Sequence, residues 1–348
     1  MHLALTLLTA LSLQAPAPDL TVELDTALGE VVARHRLPGL AVGLVRDGEV
    51  VYARGFGEAV RSSERPVTTS SIFHMASVSK LFTATAVQQL VEAGKLDLDA
   101  TLTTYLPYFR LSDERSGTIT LRQVLTHTSG IPDVRDYEWE HPQHDAGAAE
   151  RYVRSLGGET LLFAPGSKSR YSNLGFDILG DVIAKASGVS FDDYVKARIL
   201  APLGMSSTSF IHAETPEAQW TQGHSLAFAR RIDGAPCPVY PYNRRHAPSS
   251  TLNSSVDDMC RWALANLARG ELDGERILSA AGYDVLWSRD DATPGIGLAW
   301  FLDDFAGRPS AQHSGADVGF NSFLRLLPEE ASETRARVQA WLERLSGE

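Results

Sequence analysis

The chain has 348 residues, 43% of them hydrophobic, which is enough apolar material for one large domain or two interleaved ones and excludes a disordered chain. Its formal net charge is -11, and the acidic residues are dispersed without long runs, so the composition offers no basic surface for nucleic acid. Past the first residues, no stretch is long and apolar enough to span a bilayer.

Residues 1–17 hold an apolar core from Leu3 to Leu13 followed by small residues and prolines, a pattern that resembles a signal peptide ending after Ala15 or Ala17. That reading places the mature protein in a secreted or periplasmic compartment, and the other reading is a frayed apolar N-terminus. From 19 to about 37 the positions Leu20, Val22, Leu24, Leu28, Val31 and Val32 recur at helical spacing. The period then changes to that of strands over 39–45 and 50–57, with Asp47-Gly48 between them as a hairpin turn.

A helix is expected from Ser77 to about Ala93, stopped by Gly94, and further helices over 120–126, 173–187, 191–200 and 255–269. Residues 212–250 read as a long irregular loop. Strand character returns over 296–302, 310–314 and 321–327, and a charged helix is expected over 330–346. The expected fold is therefore α/β: an antiparallel sheet flanked by helices, split between 18–72 and 278–348, with a mostly helical domain, 73–277, inserted. Cys237 and Cys260 either pair as a disulfide or stay as two free thiols.

Chemistry concentrates in three places. Lysine is scarce, and only Lys80 has a serine, Ser77, three residues before it. Three apart on a helix is one face, so the Ser77 hydroxyl and the Lys80 amine can meet, and Ser77 begins the helical run where backbone N–H groups are free. A lysine in such apolar surroundings is easier to deprotonate, which would let it take the serine proton. Tyr171 and Asn173 stand two apart at the start of the 173–187 helix, where Asn is also a preferred cap. His313 and Gly315 share a face of the 310–314 strand, with Ser314 between them, on a backbone able to pair with an extended ligand.

Ser-x-x-Lys, Tyr-x-Asn and His-Ser-Gly in this order resemble the motif set of the serine β-lactamase and penicillin-binding-protein-like hydrolases, in the class C-type branch that includes D,D-carboxypeptidases, D-amino-acid peptidases and esterases. Flanking stretches agree: LTHTSGIPD, ILAPLGM and STLNSSVDDM. The resemblance implies a β-lactamase/transpeptidase-like fold and a cofactor-free, metal-free enzyme that forms an acyl-enzyme on Ser77. Lys80 would be the base, Tyr171 would carry protons as a phenolate or hydrogen-bonded phenol, and Asn173 would bind substrate and Lys80. His313, Ser314 and Gly315 would bind substrate, and the backbone N–H groups of Ser77 and Ala316 would form the oxyanion hole.

Two departures stand out. His313 occupies a position where β-lactamases usually carry lysine, so a fixed positive charge for a substrate carboxylate is missing. After SFLRLLPEE, the charged EASETRARVQAWLERLSGE follows at once where the family usually adds a strand, so the sheet is expected to be one strand short. The partner expected is a small-molecule or peptide substrate; a D-Ala-type peptide, a β-lactam and a small ester all stay open, as does the oligomeric state. A non-catalytic peptidoglycan-binding or sensing module is the alternative. His141 and His144 flank a proline in a polar loop, a poor metal site; His127, in THTSG, reads as structural.

Overall fold

In the computed structural model, which describes residues 20–224, 235–289, 293 and 295–328, the N-terminal unit is a helix laid on a hairpin. Helix α1 (Leu20–His35) buries Leu24 and Leu28 against Tyr52 and the face of β1 (Gly39–Arg46) that carries Leu40, Val42 and Leu44. Asp25 fixes the helix in place by accepting hydrogen bonds from the Tyr52 hydroxyl at 2.7 Å and the Arg54 guanidinium at 2.8 Å. The chain returns as β2 (Glu49–Gly57) through Asp47 and Gly48, both at positive φ, the geometry whose twist suits a two-residue hairpin turn. On the other face of β1, Gly43 leaves room for Cys260 and Val256, so this unit leans on the rest of the molecule where any side chain would collide.

Strand β3 (Phe73–His74) leads into α2 (Ser79–Glu92), which is buried on every side from Ser79 to Gln88. A helix buried all round needs cover on every face. It receives it within a helical middle formed by α3 (Leu102–Tyr105), α4 (Leu121–Leu125), α5 (Ala148–Ser155), α6 (Asn173–Ser187) and α7 (Phe191–Val195). Strand β4 (Asn253–Ser254) pairs β3 and precedes α8 (Val256–Leu267), whose Trp262 stacks on Phe82 of α2 at 4.0 Å. Each such fully buried large apolar side chain contributes about 1.5–3 kcal/mol. The short pair β5 (Glu271–Leu272) and β6 (Glu275–Arg276) and helix α9 (Ala280–Leu286) follow, and α9 also packs on α2.

Strands β7 (Phe301–Asp304), β8 (Pro309–Asp317) and β9 (Phe320–Leu326) close the described chain as an antiparallel sheet in the order β7-β8-β9. The architecture is the expected α/β one, with antiparallel strands and helices. Among the described residues no strand joins the β1-β2 hairpin to β9, so the strands stand as separate sheets.

Three expectations need correction. The run 296–302 is not one strand: Ile296 bridges back to Phe301, Ala299 adopts φ 67, and the Leu298 and Ala299 N–H groups donate to the carbonyls of Leu286 and Leu125. The 191–200 helix is α only to Val195 and continues as a π turn over Lys196–Leu200. The helix expected at 77 begins two residues later, after a 3₁₀ turn over Ala76–Val78. Cys237 and Cys260 are free thiols. The apolar segment 1–17 and the helix expected over 330–346 lie outside the described residues. No described helix is long and apolar enough to cross a membrane.

Candidate active site

Ser77 sits at the turn between β3 and α2. Ala76, at φ 47, turns the chain in the left-handed region that costs a non-glycine residue energy. Ser79 locks the turn: its hydroxyl donates to the Ala76 carbonyl at 2.6 Å and accepts from the Leu252 N–H at 3.0 Å. One face later, as the spacing requires, the fully buried Lys80 points its Nζ at the Ser77 Oγ, 3.1 Å away. Its other partners are the Asn173 Oδ1 and the Ser249 carbonyl, both at 2.6 Å. Burial pushes the Lys80 amine down to about 7, although Asp177, Asp133 and Asp317 pull it back toward the charged form.

Tyr171 and Asn173 come from the entry to α6. Ser172, not Asn173, caps this helix, its Oγ accepting from the Gly175 N–H at 3.0 Å. The Asn173 amide is thereby released to accept from Lys80 and donate to Asp133 at 3.0 Å. Burial raises the Tyr171 phenol well above its ordinary value. The nearby Ser77 hydroxyl lowers it in part, yet the two do not meet in hydrogen-bond geometry and the Tyr171 hydroxyl is buried without a partner among the described residues. Of the two forms left open by the sequence, a phenolate or a hydrogen-bonded phenol, burial disfavours the phenolate.

His313 faces the same space, its ring 6.2 Å from that of Tyr171 and 5.1 Å from that of Phe301. Its Nδ1 donates to the Ser314 carbonyl at 2.6 Å, and burial, together with the Lys80 charge, pushes its pKa down to about 3. It is a neutral imidazole. Ser314 turns its side chain to the exposed face, whereas Gly315 is buried. A Cβ on Gly315 would strike the Met75 carbonyl and the Ser322 hydroxyl and lie 3.1 Å from the Ser77 nitrogen, so only glycine lets β8 approach the serine this closely. β7 pairs β8 no further than Gln312, which leaves 313–317, with Ala316, without a strand partner on that edge among the described residues.

Several groups that position the site went unread in the sequence. Asp133, in the GIPD stretch, accepts from both the backbone and the side-chain amide of Asn173. Asp177, one turn after Asn173 and so on its face, meets His246 at 2.7 Å, both fully buried. His246 in turn anchors the loop that aims the Ser249 carbonyl at Lys80, and Gly180 of α6 leaves room for Pro248 in that loop. Asp177 was legible as a helix-face neighbour; a backbone carbonyl such as that of Ser249 carries no side-chain signal. Beyond Ala316, Asp317 accepts from the Ser250 hydroxyl at 2.7 Å and faces the buried His74 at 3.4 Å, tying the sheet to the helical side. The His141–His144 loop packs elsewhere, with His144 stacked on Tyr242.

A serine, a buried lysine and a tyrosine gathered under a strand edge in this order invite comparison with known proteins, and the β-lactamase family model matches residues 24–336. The chain belongs to the β-lactamase family. Within this family it is similar to penicillin-binding protein 4 of Amycolatopsis lactamdurans, with 32% identity over 84% of this chain and 78% of that protein. It is also similar to esterase EstB of Burkholderia gladioli, with 30% identity over 88% of this chain and 86% of that one. Among solved structures, the octameric penicillin-binding protein homologue from Pyrococcus abyssi superposes with a TM-score of 0.76 at 26% identity, over 93% of this chain and 77% of that chain.

Proposed function

We propose that this β-lactamase-family chain is an exported serine hydrolase that acylates on Ser77 and acts on an ester or amide bond. The observation that carries the reading is the buried Lys80 amine, held 3.1 Å from the Ser77 hydroxyl and pushed down to about 7, so that a large share of it is neutral and able to accept a proton at physiological pH.

In the proposed cycle, Ser77 Oγ attacks the substrate carbonyl carbon while its proton moves to Lys80. The backbone N–H groups of Ser77 and Ala316 hold the oxyanion, an arrangement whose single donors are typically worth about 10²–10³ in rate. The neutral Tyr171 phenol passes a proton to the leaving group and is replenished by the Lys80 ammonium. Water then attacks the acyl-serine, delivering a proton back through the same groups to Ser77 as the acid product leaves. Asn173 keeps Lys80 in place and offers its amide to the acyl side of the substrate, and the His313-Ser314-Gly315 edge pairs with the substrate backbone. The neutral His313 gives no cation for a substrate carboxylate, which favours esters or amides that do not rely on one.

The test is hydrolysis of an activated ester by wild type and Ser77→Ala. Turnover by wild type that drops to the uncatalysed rate in Ser77→Ala is expected. Equal rates would favour a non-catalytic binding module of the same fold.

A further inference from the structure

We propose that His127 is the positioning residue that aims the Tyr171 hydroxyl at Ser77 and Lys80. This rests on the reading of Tyr171 as the proton carrier given above.

His127 grips the segment around Tyr171 on both sides. Its carbonyl accepts from the Arg170 N–H at 2.8 Å, and its ring Nδ1 accepts from the Ser172 N–H at 3.2 Å. Between these two bonds the imidazole lies against the Tyr171 ring, with centroids 4.3 Å apart. Phe176 of α6 closes the imidazole's surroundings at 5.2 Å, so the histidine ring is confined between two aromatic neighbours. Tyr171 is thus held at the backbone before it, the backbone after it and the face of its ring.

His127 is itself rigidly set. Helix α4 is fixed at its start by a capping box of Thr120 and Gln123. Just past its end the His127 N–H donates to the Val124 carbonyl at 3.1 Å, and His127 turns at φ 58, a left-handed conformation that histidine and asparagine tolerate better than most residues. The bond from Ser172 fixes the tautomer: Nδ1 is the acceptor, so the ring proton resides on Nε2. That Nε2 is buried and has no partner among the described residues. An apolar ring of similar shape would avoid burying an unpaired N–H, so what the imidazole contributes over phenylalanine is the Nδ1 acceptor that holds Ser172. The ring is kept neutral by burial, with the Lys80 ammonium acting in the same direction, so its acceptor is available.

A Tyr171 hydroxyl released from this grip would lose its place near the Ser77 hydroxyl, and a displacement of about 1 Å in such a group can cost about 10²-fold in rate. The test is a double-mutant cycle on turnover of p-nitrophenyl acetate, with near-UV circular dichroism and thermal melts to establish folding. His127→Phe keeps a ring but removes the acceptor, and should lower kcat by about 10–100-fold with KM within about 2-fold of wild type. His127→Asn restores a side-chain acceptor and suits the positive φ, and should recover most of that loss. In a Tyr171→Phe background either substitution should cost less than about a further 2-fold, because a residue that acts only through the tyrosine has nothing left to position. Losses that multiply in the double variants, an asparagine variant as impaired as the phenylalanine one, or an unchanged kcat in folded His127→Phe would each overturn the assignment. If His127→Phe does not fold, the His127→Asn cycle with Tyr171→Phe decides, its smaller loss again expected to vanish in that background. A wild type with no turnover at all would instead remove the hydrolase reading on which this inference stands.

Discussion

Lys80 is surrounded by three acceptors, Ser77 Oγ, Asn173 Oδ1 and the Ser249 carbonyl, one for each N–H of an ammonium group, yet its complete burial favours the neutral amine. The two tendencies leave it titrating at about 7 rather than near the ordinary lysine value. The sign follows: the amine must be unprotonated to accept the Ser77 proton, so activity is lost as pH falls through that value and is full above it. We expect kcat/KM for an activated ester to rise about tenfold per pH unit below a midpoint near 7 and to level off above it. Lys80→Met should lower the plateau by about 10²–10⁴-fold and abolish this midpoint. A pH–rate profile of both proteins checks it, and a wild-type midpoint near 10 would show that burial does not depress the amine. At this scale the sequence was informative about the serine and lysine, because three residues along a helix fixes a shared face. It was silent on Asp133 and the Ser249 carbonyl, which reach the site through loops whose paths have no periodicity.

The elements explain why the motifs converge. α2 is buried on every side over Ser79–Gln88, which carries Lys80 into the interior, while β8 is brought against the start of the same helix by Gly315. Gly315→Ala would push a methyl into the Met75 carbonyl and the Ser322 hydroxyl, backbone and short side chain with little freedom to yield. Overpacking of this kind costs about 1–3 kcal/mol, and the displaced strand edge should lower kcat/KM by about 10²-fold. Thermal unfolding and ester kinetics on the variant test this; a fully active, equally stable Gly315→Ala would mean that β8 does not depend on the close approach. The helix at 173–187 and the 39–57 hairpin were legible from period, capping and turn chemistry. The 296–300 run was not, since a buried apolar turn and a buried strand look alike when periodicity is the only guide. α5 was also missed, because it buries only Ala148 and Val153.

At the scale of the molecule, the main apolar core runs from α2 and α6 through Trp262 and Trp300 to Ala311 and Leu326, so the nucleophile's helix and the substrate-edge strand share one interior. The α1 and hairpin cluster is separate, and the described strands do not merge into one sheet. The split bears on function, because the proposed acylation needs β8 to stay seated on the Ser77 turn, where the described residues give it no sheet shared with the β1-β2 hairpin. The contacts that seat it are local: Gly315 against Met75, the Ser322 hydroxyl donating to the Met75 carbonyl at 2.6 Å, and the Asp317 bond to Ser250. Whether they suffice is read most directly by intact-protein mass spectrometry of wild type and Ser77→Ala after incubation with a penicillin and, separately, an activated ester. A covalent acyl adduct is expected with at least one reagent on wild type and with neither on Ser77→Ala. Folded wild-type protein that acquires no adduct from either reagent, or an adduct that persists in Ser77→Ala, would contradict it.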